Sequence, residues 1–278
     1  MFSNIIVRST SDKEYNEDGY GFRDDVVFVI DGATGLGENN YMGYGDDAKW
    51  FVDGVCEYLQ KYLSSQPIET CLSEVCSLLY SEYAKIVKDV NSSSMPSSCI
   101  SLFREIDDEI EFFGLGDTVG VCEFVDGTYE VLFDQRLVDL DNVAIDEMVT
   151  ISKERGISPI EARKYIQSTL IKHRSLVNTE EGYYSLDVTG KGLSKAIKRR
   201  WKKDVIKRIC CMSDGFYEVM EFGLYQDIPS LLDAIEANVD EVLANLCKAQ
   251  DDDSLGYKVP RFKLRDDITV VYTKRKEA

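Results

Sequence analysis

Acidic residues recur in this chain where apolar runs stop. Asp31 follows "VVFVI", Asp117 follows "FFGLG", Asp214 follows "RICCMS", and Asp266 and Asp267 immediately precede "ITVVY". Glu17 and Asp18 sit in "NEDGYGF", just ahead of a short strand-like stretch. A strand end is a rigid place from which to hold a carboxylate, so a sheet can bring distant acids to one point. Gathered carboxylates suit hard cations such as Mg²⁺ and Mn²⁺, which take oxygen ligands and keep several waters. Two such ions about 4 Å apart polarise a phosphoryl oxygen and lower the pKa of a bridging water. Water then becomes the nucleophile, and no Ser, Cys or His is needed. Each acid taken singly has a plainer reading, because Asp-Gly after a strand is also a turn signature.

The elements that would position these acids are read from periodicity. Residues 4–7, 20–22 and 26–30 read as short strands. Residues 46–63 carry Phe51, Val55, Leu59 and Tyr62 on one helical face. Residues 68–90 carry Ile68, Leu72, Val75, Leu79, Tyr83 and Ile86 at the same period, a second amphipathic helix. "SCISLFR" and "EIEFFGLGD" flank the acidic turn "EIDDE", and Asp126-Gly127-Thr128 joins "VGVCEFV" to "YEVLF" as a hairpin. Residues 141–172 read as helix in two pieces. Gly156 ends the first, and Ser158-Pro159-Ile160-Glu161 opens the second with a capping box. Residues 174–207 read as irregular and end in a basic run, "KAIKRRWKKD"; a strand (208–212), a helix (229–248) and a last strand (268–272) follow. Strands in runs with a clear hairpin point to a mostly antiparallel α+β fold rather than a doubly wound parallel sheet. No repeat, low-complexity tract or Pro/Gly linker divides the chain, so a single domain over 1–278 is expected.

Composition narrows the partners. The 278 residues, 44% of them hydrophobic, suffice for a sizeable core. A net charge of −18 repels nucleic acid and anionic membranes, and no stretch has the length and apolarity of a signal peptide or membrane span. The eight cysteines contain no C-x-x-C pair and mostly have apolar neighbours, so they read as buried thiols of a reducing cytosol. A cytoplasmic location is expected.

Taken together, "NED" at 16–18, "DGATGLG" at 31–37, "GDT" at 116–118, "SDG" at 213–215 and "DDIT" at 266–269 carry a resemblance. In order and spacing they resemble the metal-dependent serine/threonine protein phosphatases of the 2C type, and within them the bacterial-type members. The resemblance implies a four-layer α-β-β-α sandwich of two mostly antiparallel sheets with helices on both outer faces. It implies two or three Mn²⁺ or Mg²⁺ ions. Asp31 would bridge two of them, the Gly32 carbonyl would bind one, and Asp214 and Asp266 would complete the other. Glu17 and Asp18 would act through metal-bound waters, and Asp117, with Asp214 and Glu218, would match a third-metal site. The implied reaction is hydrolysis of phosphoserine and phosphothreonine in proteins by a metal-bridged hydroxide, opposing a cognate serine/threonine kinase, in a monomeric enzyme.

Three positions depart from the family pattern. Ala33 stands where the family often has a histidine regarded as general acid. Lys13 stands where a phosphate-binding Arg is usual, keeping the charge but losing the bidentate fork, with Arg8 as a possible substitute. Asp267 replaces the usual Asn before the last strand. These departures sustain two alternatives: a catalytically silent, phosphatase-like binding or regulatory module, and a hydrolase for small phosphorylated molecules. The only histidine, His173, falls on an expected helix and reads as a packing or surface residue. "VTGKGLSKA" lacks P-loop spacing, "DGAT" lacks the second Asp of a phosphoaspartate motif, and "DDD" at 251–253 lacks calcium-loop spacing. The run "KAIKRRWKKD" lies where family members carry a mobile flap and is read as a solvated helix or loop that could dock an acidic phosphopeptide.

Overall fold

The computed structural model describes every residue except 1, 34, 36–39, 64, 89–94 and 276–278. Thr34, Leu36 and Gly37 of the 31–37 motif, and positions 89–90 of the expected second helix, therefore lie outside the described residues. The chain opens with β1 (Phe2–Thr10), β2 (Gly19–Phe22) and β3 (Val26–Ala33), then α1 (Asp47–Tyr62) and α2 (Ile68–Ile86). Strands β4 (Ser97–Ile106), β5 (Glu109–Leu115), β6 (Val119–Phe124) and β7 (Tyr129–Leu132) follow. Next come α3 (Gln135–Arg155), α4 (Pro159–Ala162), α5 (Gln167–Ser175), β8 (Leu186–Asp187), β9 (Ile197–Lys202) and β10 (Ile206–Met212). Helices α6 (Asp214–Glu221) and α7 (Ile228–Asp252) and strand β11 (Ile268–Arg275) complete the chain.

Two antiparallel sheets result. One has the order β1-β11-β10-β6-β7; the other has β2-β3-β4-β5-β9, with β8 added to β4. Their facing sides bury Val27, Val29, Phe103, Phe112, Ile209, Cys211 and Val271. On the outer face of the β3 sheet, Val26, Phe28 and Ile30 pack with Phe51, Val55, Leu59 and Leu72 of α1 and α2. On the outer face of the β10 sheet, Val121, Cys210, Met212 and Tyr272 pack with Phe216, Leu231, Ile235 and Val242 of α6 and α7. The expected four layers are thus present. "VVFVI" reads as a continuous apolar run because β3 is covered on both faces, odd and even side chains alike.

Local chemistry agrees at the punctuation points. The Asp126 carboxylate accepts from the Thr128 N–H at 2.9 Å, and Gly127 takes φ +85° in the β6–β7 turn. Gly156 caps α3 at φ +65°, and the Ser158–Glu161 capping box opens α4. Two stretches differ from expectation. Helix α3 begins at Gln135 rather than 141, because the Asp134 carboxylate accepts from the Arg136 N–H at 3.1 Å and caps it. The 174–207 stretch is not irregular throughout: β9 pairs with β5 from Gly114↔Ile197 to Glu109↔Lys202. As an edge strand it keeps charged side chains in solvent, which hides its strand character in the sequence. Its cations meet the protein's own acids, Lys198 with Glu69 and Arg200 with Glu111, and Lys198, Arg199 and Arg200 do not line the acidic cleft described below. The reading of this run as a flap beside the acids is therefore corrected.

One buried charge is structural. Arg208 of β10 faces α7, donates to Glu123 on the paired strand β6, and reaches Asp233 at 2.7 Å; Arg208 and Glu123 are both buried. Lys207 still binds Glu123 at 3.0 Å when Arg208 is removed, so Arg208→Met is expected to lower stability by about 1.5–3 kcal/mol, the size of a charge-assisted hydrogen bond. Urea denaturation of the variant would show this as a reduced midpoint with an unchanged slope.

Candidate active site

The acids meet at one end of the sandwich. Asp31 is near the C-terminal end of β3, opposite Cys99 of β4. Asp117 lies where the chain crosses from β5 in one sheet to β6 in the other, after Gly116 at φ +75°. Asp214 is the first residue of α6, directly after β10, and Asp266 immediately precedes β11. Asp18 immediately precedes β2. β3 and β5 run in the same direction on either side of β4, so both C-terminal ends lie on one side, while antiparallel pairing puts the start of β2 beside the end of β3 and the start of β11 beside the end of β10.

A cleft of about 430 Å³ is lined by Asp31, Asp117, Asp141, Asp214, Asp266 and Glu17. An adjoining cavity of about 180 Å³ shares four of these acids and adds Glu218 and Glu221. Glu218 accepts from Gln250 Nε2 at 2.8 Å. Gly32 must be glycine: a Cβ there would stand 2.5 Å from the Glu17 carbonyl oxygen and 2.9 Å from Val52. Gly32→Ala is expected to push the β3 end away from the Glu17 loop, costing about 1–3 kcal/mol and weakening Mn²⁺ binding. Denaturation and calorimetry of the variant test both effects.

The electrostatics are those of uncompensated acids. Burial, together with the charge of Asp214 and its neighbours, holds the Asp31 and Asp117 carboxyls above the usual range. Burial does the same for Asp18, reinforced by Asp267 and Asp214 and offset by the nearby Thr269 hydroxyl. Burial and Asp214 also raise Asp266, while Lys263 and Lys13 pull it back. Asp141 of α3 is pushed up to about 8 by burial and by Asp117 and Asp214. Glu218 is pushed up to about 7, first by burial. Asp18 is 5% exposed, yet neither carboxylate oxygen has a hydrogen bond of ordinary geometry; the Thr269 hydroxyl is paired with Ser9 at 2.8 Å. Among the described residues no three such side chains stand in a ligand-ready arrangement for a metal ion. The donor set nevertheless fits hard divalent cations: oxygen atoms only, mutually repelling and only partly offset by Lys263 and Lys13, with both Asp18 oxygens unpartnered, an arrangement that added positive charge would relieve.

The basic residues sort differently from the sequence expectation. The Lys13 ammonium is bound to Glu17 at 2.7 Å and Asp267 at 2.9 Å. Burial alone would lower its pKa, but these two carboxylates raise it well above the usual lysine value. Asp267 is buried, accepting from Ser11, Lys13 and the Glu17 N–H, so this extra charge serves the N-terminal loop rather than the cleft. Arg8 is forked onto Asp240 of α7, at 2.5 and 2.9 Å. Neither Lys13 nor Arg8 lines the cleft. Four charged residues that the sequence did not single out as site residues do line it: Asp141, Arg163, Arg174 and Lys263, the last bound to Asp266 at 2.5 Å. His173 also lines the cleft. No motif marks these five; all but Lys263 belong to α3–α5 and the turns between them, a small cap with its own core of Ala144, Met148, Ala162 and Ile166.

A family model described as protein phosphatase 2C matches residues 10–255. A search of curated proteins gave no match. Among solved structures, the fold is similar to the serine/threonine phosphatase PstP/Ppp of Mycobacterium tuberculosis, at a TM-score of 0.59, 15% identity and 100% coverage of both chains. It is also similar to the serine/threonine phosphatase Stp1 of Staphylococcus aureus, at 0.56 and 10% identity over 100% of this chain and 96% of that one. A further similar structure is the catalytic domain of PstP in complex with two manganese ions, at 0.51 and 15% identity over 98% and 97%.

Proposed function

We propose that this chain, which belongs to the protein phosphatase 2C family of phosphoprotein phosphatases, hydrolyses phosphoserine and phosphothreonine by direct attack of water on phosphorus. The observation that carries the reading is the convergence of Asp31, Asp117, Asp214 and Asp266, from four distant segments, on one cleft. Asp31, the Gly32 carbonyl, Asp214 and Asp266 would hold two divalent cations, Mn²⁺ or Mg²⁺. Glu17 and Asp18 would orient the surrounding waters, and Asp117 with Asp214 and Glu218 would hold a third ion. Bound there, the cations would neutralise phosphoryl oxygens and make water a competent nucleophile near neutral pH.

The protein's own groups favour water over a covalent route. Cys99 is the thiol that lines the cleft, and burial together with the charges of Asp117 and Asp31 keeps it protonated. The cap of α3–α5 contributes Leu137, Asp141, Leu170 and Arg174 to the cleft lining. A serine/threonine kinase would supply the phosphorylated protein. A cytoplasmic, monomeric enzyme is consistent with the eight free cysteines, seven of them buried. No helix among the described residues is long and apolar enough to cross a membrane.

Single-turnover hydrolysis of a phosphothreonine peptide in ¹⁸O-labelled water, with Mn²⁺ present, tests the chemistry. One label in the released phosphate, none in the peptide hydroxyl and no acid-stable phosphoprotein are expected. A trapped phosphoprotein would contradict direct attack.

A further inference from the structure

A substrate phosphate would gain from a protein cation in the cleft besides any bound metal, and the charge of the N-terminal loop's Lys13 is already engaged. Lys13, itself not in the cleft lining, is held by Glu17 and Asp267 and lies 3.9 Å from Asp266, so its charge is already shared among three carboxylates; Arg8 is held by Asp240. The cap presents several. Arg163, His173 and Arg174 line the same cleft as Asp31 and Asp214. Arg174 is anchored directly above the β3 end: its Nη2 donates to the Ala33 carbonyl at 2.9 Å and to the Met95 carbonyl at 3.2 Å. Those bonds leave the guanidinium fixed but not neutralised, since both acceptors are backbone carbonyls. Arg174 Nε is buried without a hydrogen-bond partner, and so is His173 Nδ1 on the adjacent residue. Arg174 has no carboxylate partner among the described residues, so its charge, beside His173 in a cleft lined by carboxylates that would hold metal, is available to an oxyanion. An arginine carries the fork geometry that a phosphoryl group accepts, and a neutral imidazole can donate from one ring nitrogen. Lys263 lines the cleft too, but its charge is taken by Asp266 at 2.5 Å.

We infer that the substrate phosphoryl group is received by Arg174 and His173 of the cap, with Arg163 at the entrance, rather than by Lys13. The inference rests on the proposed phosphatase reading for its substrate class, but the cation site is defined by the cap residues themselves. Substrate recognition then belongs in part to the α3–α5 cap, while the acids would hold the cations.

The decisive readout is binding of inorganic phosphate to the Mn²⁺-loaded protein by calorimetry, which does not depend on turnover. Arg174→Gln is expected to weaken phosphate binding roughly 10- to 100-fold, the size of a charge-assisted hydrogen bond. Arg174→Lys is expected to recover part of the loss, and His173→Gln to weaken binding by about 3- to 10-fold. Mn²⁺ affinity should stay within about threefold in all three variants, because none is an expected ligand. Kinetically, KM for a phosphothreonine peptide should rise more than kcat falls. If Arg174→Gln perturbs folding through its bonds to Ala33 and Met95, His173→Gln, which removes no hydrogen bond found in the structure, carries the test alone. Unchanged phosphate affinity in folded Arg174→Gln and His173→Gln would overturn the inference, as would a larger loss in Lys13→Gln than in Arg174→Gln. If the wild-type protein binds phosphate through Arg174 yet hydrolyses no phosphopeptide, the inference stands and the phosphatase reading fails. If it hydrolyses the peptide with the cap variants indistinguishable from wild type, the reverse holds.

Discussion

Asp31→Asn is expected to reduce Mn²⁺-dependent hydrolysis by roughly 10³-fold or more, about 4 kcal/mol of barrier, while making the metal-free protein more stable. The two effects share one cause. Asp31 lies among Asp214, Asp18, Asp266 and Asp117, all of which raise its pKa after burial has done so. The amide keeps the shape and hydrogen-bonding capacity of the side chain but removes the charge that a cation needs. It also removes the repulsion that the folded protein tolerates when no cation is bound. Melting the variant in EDTA and assaying it with Mn²⁺ separates this account from simple damage to the fold, which would lower both quantities. A variant that is inactive and less stable would mean that Asp31 is a structural residue of the β3 turn.

The second large effect concerns pH. Asp31, Asp117, Asp141, Asp266 and Glu218 all have carboxyls raised above their ordinary values in the fold, Asp141 to about 8 and Glu218 to about 7. Between the ordinary carboxylate range and these raised values, the folded state binds more protons than the unfolded chain. Stability must therefore fall as pH rises through that window. In EDTA the protein is expected to be most stable near pH 5 and to lose on the order of 3 kcal/mol by pH 8, after allowing for solvent screening of the less buried groups. His173 works in the opposite direction, because burial lowers its pKa, but it is one group against several. Cations compete with protons for the same oxygens, so Mn²⁺ affinity should rise across the same window and binding should release protons. At 100 times its Kd, a single bound ion adds about 2.7 kcal/mol, enough to offset most of the alkaline loss. Chemical denaturation from pH 5 to 8, with EDTA and with Mn²⁺, would reveal both slopes. Stability that is flat or rising with pH in EDTA would contradict the charge arrangement described for the cleft.

The floor of the site was legible in the sequence because its residues sit at strand ends. Asp31, Asp117, Asp214 and Asp266 each follow or precede a run whose period marks a buried strand, and a sandwich places neighbouring strand ends together. The roof was not legible. Asp141, Arg163, His173 and Arg174 lie on helices and turns that have ordinary amphipathic or mixed patterns. Their relation to the acids is set by how the cap packs, through Met148, Ala162 and Ile166, rather than by spacing along the chain. Lys13 is the converse case. Its position matched an expected phosphate contact, but the neighbouring change to Asp267 supplies it with a buried partner. Strand β9 was missed because edge strands carry charge where central strands carry valine, so IKRRWK resembles a solvated run until its register with β5 is seen.

The most direct test of the central claim is release of inorganic phosphate from a phosphothreonine peptide by the wild-type chain and by Asp214→Asn, each with Mn²⁺ and with EDTA. The account predicts steady release only from wild-type protein with Mn²⁺, and loss of both turnover and Mn²⁺ affinity in the variant. Release that persists in EDTA, or in Asp214→Asn, would contradict it. Mn²⁺ binding without any release from the wild-type protein would identify the chain as a silent member of its family.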